Sequence, residues 1–193
     1  NWGNSNKKPE AKIIKCIGES GKNETEINSI IYDFNLPVKF PNDVIVETEK
    51  LDEKISEKEI NNRKDLRHLD SFTIDPDDAK DFDDALSIEK KDGFYNIGIH
   101  IADVSHFFNN RTQINNEAEK RATSIYLVDR TIPMLPEKLS NNLCSLKPNV
   151  DRLTFSVLIK MDEKFKIISS WVGRTIIHSK KRFTYEDAQE SIN

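Results

Sequence analysis

Cysteine and long apolar runs are scarce in this sequence, and each absence excludes a class of protein. The chain has 193 residues with only two cysteines, Cys16 and Cys144. Two distant cysteines favour reduced thiols in the cytosol over a disulfide framework. No apolar run approaches the roughly 18 residues of a membrane span, and no signal-like segment opens the chain. We therefore expect a soluble, cytoplasmic protein that contacts no membrane.

Glycine is also scarce, and the chain shows no internal repeat and no linker rich in Gly, Ser or Pro. There are 6 glycines, while 36% of residues are hydrophobic and 32% are charged. That composition is polar for a globular protein, but it supplies enough apolar side chains for a core. The length suits one ordinary domain, or one domain plus part of another.

Negative charge is concentrated in one segment. The ten residues from Asp75 to Asp84 hold six Asp and one Lys, so they contribute −5 to a net charge of −4. Because the rest of the chain is nearly balanced, the overall acidity does not argue against a nucleic-acid partner. Either the segment is a solvated loop, or its carboxylates converge on a divalent cation such as Mg²⁺ or Mn²⁺. An EF-hand is excluded, since Lys80 and Leu86 occupy the positions of its glycine and glutamate.

The residues before the acidic segment predict one strand and then helices. Residues 11–18 are typical of a strand. A helix is predicted where Ile27, Ile30, Ile31 and Phe34 share one face before Pro37, and a second begins near Pro41. A third is predicted from a capping-box pattern at Ser56 and Glu59 to about Arg67. Residues 19–70 are therefore predicted to form a helical connector.

The residues after Asp70 predict a strand-rich body. Asp92-Gly93 marks a hairpin, two long strands flank residues 162–164, and Thr184 caps a final helix. This order indicates an α+β fold with a mixed, mainly antiparallel sheet and flanking helices.

The acidic segment also carries a resemblance. "TIDPDDAKDFDDA" fits the pattern T-I-D, five residues, then D-x-D-D-A, and the likeness continues through "IHIADVSHFF", "RATSIYLVDRTIPMLPEKLSNNLCSLKPNVDRLTFSV" and "RFTY". Over residues 64–185 the sequence resembles the catalytic domain of the ribonuclease II and ribonuclease R family, most closely its ribonuclease R branch. Residues 71–193 would be the N-terminal portion of that domain. Residues 1–18 are more weakly similar to the last strand of the family's cold-shock (OB-fold) domain.

This resemblance implies an activity and a metal site. The family are processive 3′→5′ exoribonucleases that hydrolyse single-stranded RNA to nucleoside 5′-monophosphates with Mg²⁺, Mn²⁺ being possible. Four acids match the family's catalytic and metal-binding positions: Asp75, Asp81, Asp83 and Asp84. Two divalent ions suit phosphodiester hydrolysis because they activate water and stabilise the leaving oxygen. Asp77 and Asp78 fall outside the pattern, and we expect them to face solvent.

Three further residues are candidates for RNA binding. Tyr126 matches a family tyrosine that clamps the 3′-terminal nucleotide by stacking, the alternative being a half-buried strand tyrosine. Lys181 and Arg182 belong to a basic turn that is either solvated or placed to meet phosphates. The spacing of His100 and His106 does not make a zinc site, and hydrogen-bonded roles are expected for them.

The resemblance also limits what this chain does alone. The family's catalytic domain is about twice as long as residues 71–193, so the activity of this piece by itself stays open. The implied parent protein is a monomer that binds single-stranded RNA without a small-molecule organic cofactor. The alternatives are a non-catalytic RNA-binding relative of the same fold and an unrelated Mg²⁺-dependent phosphohydrolase. The long matching tract after Ala85 counts against the second.

Overall fold

The computed structural model describes residues 11–193 and divides the chain into two units. The first unit contains the chain up to Lys39 together with Tyr126–Ile132, and the second contains Phe40–Ile125 and Pro133–Asn193. All four candidate acids lie in the second unit.

The second unit holds most of the secondary structure. The helices are α1 (Asn23–Asp33), α2 (Asn42–Glu49), α3 (Glu57–Asn61), α4 (Gln113–Arg121) and α5 (Tyr185–Ile192). The strands are β1 (Lys64–Asp65), β2 (Ser71–Asp75), β3 (Asp84–Lys91), β4 (Phe94–Ala102), β5 (Ile125–Tyr126), β6 (Thr131–Ile132), β7 (Asp151–Met161) and β8 (Ile167–Thr184). A 3₁₀ turn spans Val104–His106, and a π-helical turn spans Leu139–Leu143.

The strand predicted at residues 11–18 is wrong for the part of the chain that is described. Residues 11–18 adopt no strand, and Ile13 and Ile14 are 89% and 85% exposed. A strand persists only where a neighbouring backbone accepts and donates its ladder hydrogen bonds. No strand among residues 11–193 pairs with this segment. Residues 1–10, the remainder of the proposed cold-shock strand, lie outside the described residues.

Helix α3 is shorter than the sequence predicted. Ser56 caps it as expected, with its hydroxyl accepting the Glu59 N–H at 3.2 Å, but the helix ends at Asn61. Two residues later the buried Arg63 guanidinium donates to the Thr154 carbonyl at 3.2 Å. Lys64–Asp65 then pair with β8. The prediction failed because Arg63 and β1 make long-range contacts that local periodicity does not encode.

The main sheet closes on itself. Its order is β1-β8-β2-β3-β4-β7, and β7 also pairs with β8, so β2, β3, β4, β7 and β8 form a closed ring of pairings. Strand β8 makes this possible because its first part runs antiparallel to β7 while its end runs parallel to β2. The α+β fold class with a mainly antiparallel sheet is confirmed. The hairpin at Asp92-Gly93 is also confirmed, with φ of 51° and 76°.

The buried face of this ring is polar. Its fully buried members include Ser71, Thr73, Ser87, His100, Thr154, Ser156 and Thr175. His100 Nε2 lies 3.0 Å from the Ser87 hydroxyl, and Nδ1 lies 2.8 Å from that of Ser156. Burial lowers the pKa of His100 to about 4, so its imidazole is neutral at pH 7. The predicted hydrogen-bonded role of His100 is confirmed.

The hydrophobic core lies directly behind the acidic segment. Phe82, Ala85 and Ala102 pack in one cluster with residues from α2, α4 and the π-helical turn. Phe82 and Ala85 flank Asp83 and Asp84 in sequence, so the core fixes the backbone that carries those two acids.

Two composition-based expectations can be compared with this fold. Both cysteines are free thiols, Cys16 exposed and Cys144 buried. Among the helices of residues 11–193, none combines the length and apolar character needed to cross a bilayer.

Candidate active site

The four candidate acids gather at one edge of the sheet. Asp75 is the last residue of β2, and Asp84 is the first residue of β3. These strands are antiparallel neighbours, with Phe72 opposite Leu86, so the end of β2 and the start of β3 meet at the same edge. Asp81 lies in the connecting loop, immediately before the buried Phe82.

Burial and neighbouring charge both act on the carboxylates of this edge. Burial raises the pKa of Asp75 and the charges of Asp84 and Asp81 add to this, while the nearby Thr73 hydroxyl and the positive charge of Arg182 act to lower it. Partial burial raises the pKa of Asp83 because it removes water from the carboxylate. The charges of Asp81, Asp84 and Asp75 add to this. Burial and like charge therefore both act to raise the pKa at two of the four acids.

The donor chemistry of this edge fits a hard divalent cation. Asp75 Oδ2 is buried without a hydrogen-bond partner, and the ion pairs of residues 11–193 include none with Asp75, Asp83 or Asp84. Carboxylate oxygens of this kind are preferred ligands of Mg²⁺ and Mn²⁺. Even so, within residues 11–193 no three acidic, histidine or cysteine side chains are arranged to hold one metal ion. Metal binding at the four acids stays a prediction.

The loop between β2 and β3 is anchored by a residue that sequence reasoning missed. Ser145 is fully buried, and its hydroxyl donates to the Lys80 carbonyl at 2.7 Å and accepts the Phe82 N–H at 3.1 Å. The Leu146 N–H donates to the Phe82 carbonyl at 2.8 Å. The backbone on both sides of Asp81 is thus held by one short segment. Ser145 lies in "NNLCSLKPN", but a contact across 65 residues gives no local signal.

Arg182 contacts the same loop from β8. Its Nη2 donates to the Pro76 carbonyl at 2.5 Å and to the Asp77 carbonyl at 2.7 Å. Asp77 itself is exposed, as predicted, and so is Asp78. The ammonium of Lys181 lies 4.1 Å from the centre of the Phe183 ring. RNA binding by Lys181 and Arg182 stays a prediction, since no contact tests it.

An open, largely apolar groove beside the acidic loop carries three cationic side chains. It has a volume of about 420 Å³, and Lys80, Lys147 and Arg182 line it together with Ala79, Phe82 and Asn141. Positive side chains in a groove beside carboxylates can bind a phosphate backbone whose scissile bond lies at the acids. The sequence analysis did not single out Lys147 because a lone lysine beside Pro148 carries no pattern.

Tyr126 lies in the first unit, on β5, and its side chain is 66% exposed. An exposed aromatic ring is available for stacking on a base, but its proposed role stays a prediction. Asp103 ion-pairs with Arg63 at 2.7 Å and accepts the Ser105 hydroxyl at 2.9 Å, so its contacts serve the interior and a turn. The Nδ1 of His106 lies 3.6 Å from a carboxylate oxygen of Glu59.

Known proteins resemble the chain in both sequence and structure. The RNB domain matches residues 63–193, and a cold shock domain matches residues 1–41. Ribonuclease R of Thermotoga maritima is 44% identical over 95% of this chain and 26% of its own length. A protein described as inactive exonuclease DIS3L2 from Arabidopsis thaliana is 40% identical over 100% of this chain and 18% of its own length. Mycoplasma genitalium RNase R, solved with ribose-methylated single-stranded RNA, matches 92% of this chain and 28% of its own chain with a TM-score of 0.83 and 31% identity.

These matches show the family to which the chain belongs, but they do not show its activity. The chain spans about a quarter of the length of the ribonuclease R relatives it matches. The RNB match covers about two thirds of the chain and includes the four acids and Ser145. The chain therefore belongs to the RNB family, and its fold is that of the ribonuclease R catalytic domain.

Proposed function

We propose that this chain is part of a Mg²⁺-dependent 3′→5′ exoribonuclease that degrades single-stranded RNA processively to nucleoside 5′-monophosphates. The observation that carries the proposal is the complete T-I-D…D-x-D-D-A pattern at the meeting point of β2 and β3. There, burial raises the pKa of Asp83, and the negative charges of Asp81, Asp84 and Asp75 add to this. Carboxylates that are partly buried and close together are costly, and a bound divalent cation would relieve that cost.

In this proposal each part of the site has a separate task. Asp75, Asp81, Asp83 and Asp84 hold Mg²⁺, or Mn²⁺ in its place. When bound there, the cation would supply an activated water and stabilisation of the charge that develops on the phosphate. The half-buried Asp75 is held at the end of β2, while the exposed carboxylates of Asp83 and Asp84 are free to rotate towards a common centre.

The RNA side of the proposal rests on charge and aromatic exposure. Lys80, Lys147 and Arg182 line the groove beside the acids, where they can meet backbone phosphates. Lys181, which directly precedes Arg182, is exposed. Tyr126 presents an exposed ring for stacking on the 3′-terminal base. We further propose a cytoplasmic, monomeric parent protein.

Two observations favour a second function. The absence of a three-ligand cluster among residues 11–193 and the 40% identity to a relative described as inactive both suit a non-catalytic RNA-binding protein. Such a protein would bind RNA equally well with and without metal. The nuclease is preferred because all four matched positions hold Asp.

Two experiments separate the nuclease from the non-catalytic RNA-binding protein. Calorimetry with Mn²⁺ should show binding to the wild-type chain and a large loss for Asp83→Asn, with Asp78→Asn as the matched control outside the pattern. When the parent protein is incubated with 3′-labelled single-stranded RNA and Mg²⁺, the RNA should be degraded to nucleoside 5′-monophosphates. RNA binding without metal binding, unchanged by Asp83→Asn, would favour the non-catalytic candidate.

A further inference from the structure

The loop that carries Asp81 is held at two points by the side chains of Ser145 and Arg182. Ser145 contacts its C-terminal half, and Arg182 contacts its N-terminal half. We propose that Ser145 and Arg182 are positioning residues that fix this loop so that Asp81 and Asp83 are presented to a metal ion. This inference rests on the proposed function of the acids.

The contacts of Ser145 bracket one residue. Its hydroxyl bonds the carbonyl of Lys80 and the N–H of Phe82, the backbone groups on either side of Asp81. The main chain of Asp81 cannot turn without breaking one of these bonds. Ser145 is itself fixed, because the Arg152 Nε donates to its carbonyl at 2.8 Å. A buried serine held in this way is a rigid support for the side chain it brackets.

Arg182 supports the other half of the loop through its shape as well as its charge. One terminal nitrogen reaches the carbonyls of both Pro76 and Asp77, while the Nε is buried. The Pro76 carbonyl also accepts the Ala79 N–H at 3.1 Å, which closes a turn. Because Arg182 pairs in register with Thr73 on β2, it joins β8, β2 and the loop at the acidic edge.

The two bonds to carbonyls point to a support role for Arg182 distinct from its charge. A positive charge beside the acids repels a divalent cation, so removing it by electrostatics alone should tighten metal binding. Loss of a support should instead weaken binding, as outer-shell changes do by about 10- to 100-fold. The sign of the change therefore distinguishes the two effects.

The test is a Mn²⁺ titration of the 193-residue chain by calorimetry, well below its melting temperature. We expect Ser145→Ala and Arg182→Gln to weaken binding at least tenfold. Arg182→Lys should weaken it too, since an ammonium keeps the charge but not the guanidinium geometry. The matched controls are Ser140→Ala, whose hydroxyl contacts Asn141, and Lys180→Gln, an exposed cation of the same strand; both should bind as wild type.

A measurement without metal tests the hydrogen bonds of Ser145 to the loop directly. In EDTA, the Phe82 amide should exchange slowly in the wild type and much faster in Ser145→Ala. A wild-type chain that binds no Mn²⁺ overturns the proposed function, and the positioning role with it. A wild-type chain that binds, with Ser145→Ala and Arg182→Lys binding equally well, overturns the positioning role alone. If Ser145→Ala does not fold, Arg182→Lys decides, because Arg182 lies at the surface end of β8.

Discussion

Replacing Asp83 by Asn should change stability in opposite directions with and without metal. The pKa of Asp83 is raised above 3.8 in the folded chain. A carboxyl with a raised folded pKa contributes stability that is present below pH 3.8 and lost as pH rises through the folded pKa. At pH 7 the ionised Asp83 therefore destabilises the metal-free fold, and Asp83→Asn should raise its melting temperature.

The size of each effect follows from linkage. Each unit by which the pKa is raised corresponds to about 1.4 kcal/mol at neutral pH, and solvent at the exposed side of Asp83 reduces this figure. Metal acts in the other direction, since a cation at one hundred times its dissociation constant stabilises the fold by about 2.7 kcal/mol. For a chain of this length that corresponds to a rise of roughly 5–10 °C.

Differential scanning fluorimetry with EDTA and with increasing Mg²⁺ measures both effects. The wild type should melt lower than Asp83→Asn in EDTA and gain several degrees in Mg²⁺, while Asp83→Asn should gain little. Asp78→Asn is the matched control, because that acid is exposed and outside the pattern, and it should behave as wild type. Equal Mg²⁺ gains for Asp83→Asn and wild type would refute the assignment of Asp83 as a ligand.

Three further predictions concern the fold that carries the site. Gly98→Ala places a Cβ against the Ser87 hydroxyl and 2.6 Å from His100 Nε2, so urea unfolding should show a loss of about 1–3 kcal/mol; an unchanged midpoint would contradict this packing. Because the folded pKa of His100 is lowered to about 4 from 6.5, the stability it confers is complete above pH 6.5 and falls as pH drops towards 4. His100→Gln should flatten that pH dependence of the unfolding free energy, and an equally steep profile would count against a buried neutral imidazole. Thr184→Ala removes the capping box with Asp187 and should cost about 1 kcal/mol by chemical denaturation; no loss would mean that α5 needs no cap.

Local patterns in the sequence predicted much of the strand-rich body. The hairpin at Asp92-Gly93 and the cap at Thr184 were predicted because turn and capping residues act within a few positions of themselves. The gathering of the acids at one sheet edge followed from the resemblance. Each of these features depends on residues that are close together in sequence.

The features that sequence analysis missed depend on distant contacts. The closure of the sheet needs β8 to pair with both β7 and β2, and no local periodicity encodes a strand with two partners. The early end of α3 follows from the burial of Arg63 against Thr154, 91 residues away. Ser145 has the same explanation, since its partners lie 63 and 65 residues earlier in the chain.

Anomalous diffraction at the manganese edge, from crystals of the chain grown with Mn²⁺, tests the central claim most directly. The account predicts anomalous density at the edge where β2 ends and β3 begins, within coordination distance of carboxylate oxygens of Asp75, Asp81, Asp83 and Asp84. Well-ordered carboxylates at that edge with no anomalous peak, at Mn²⁺ concentrations of tens of millimolar, would contradict it.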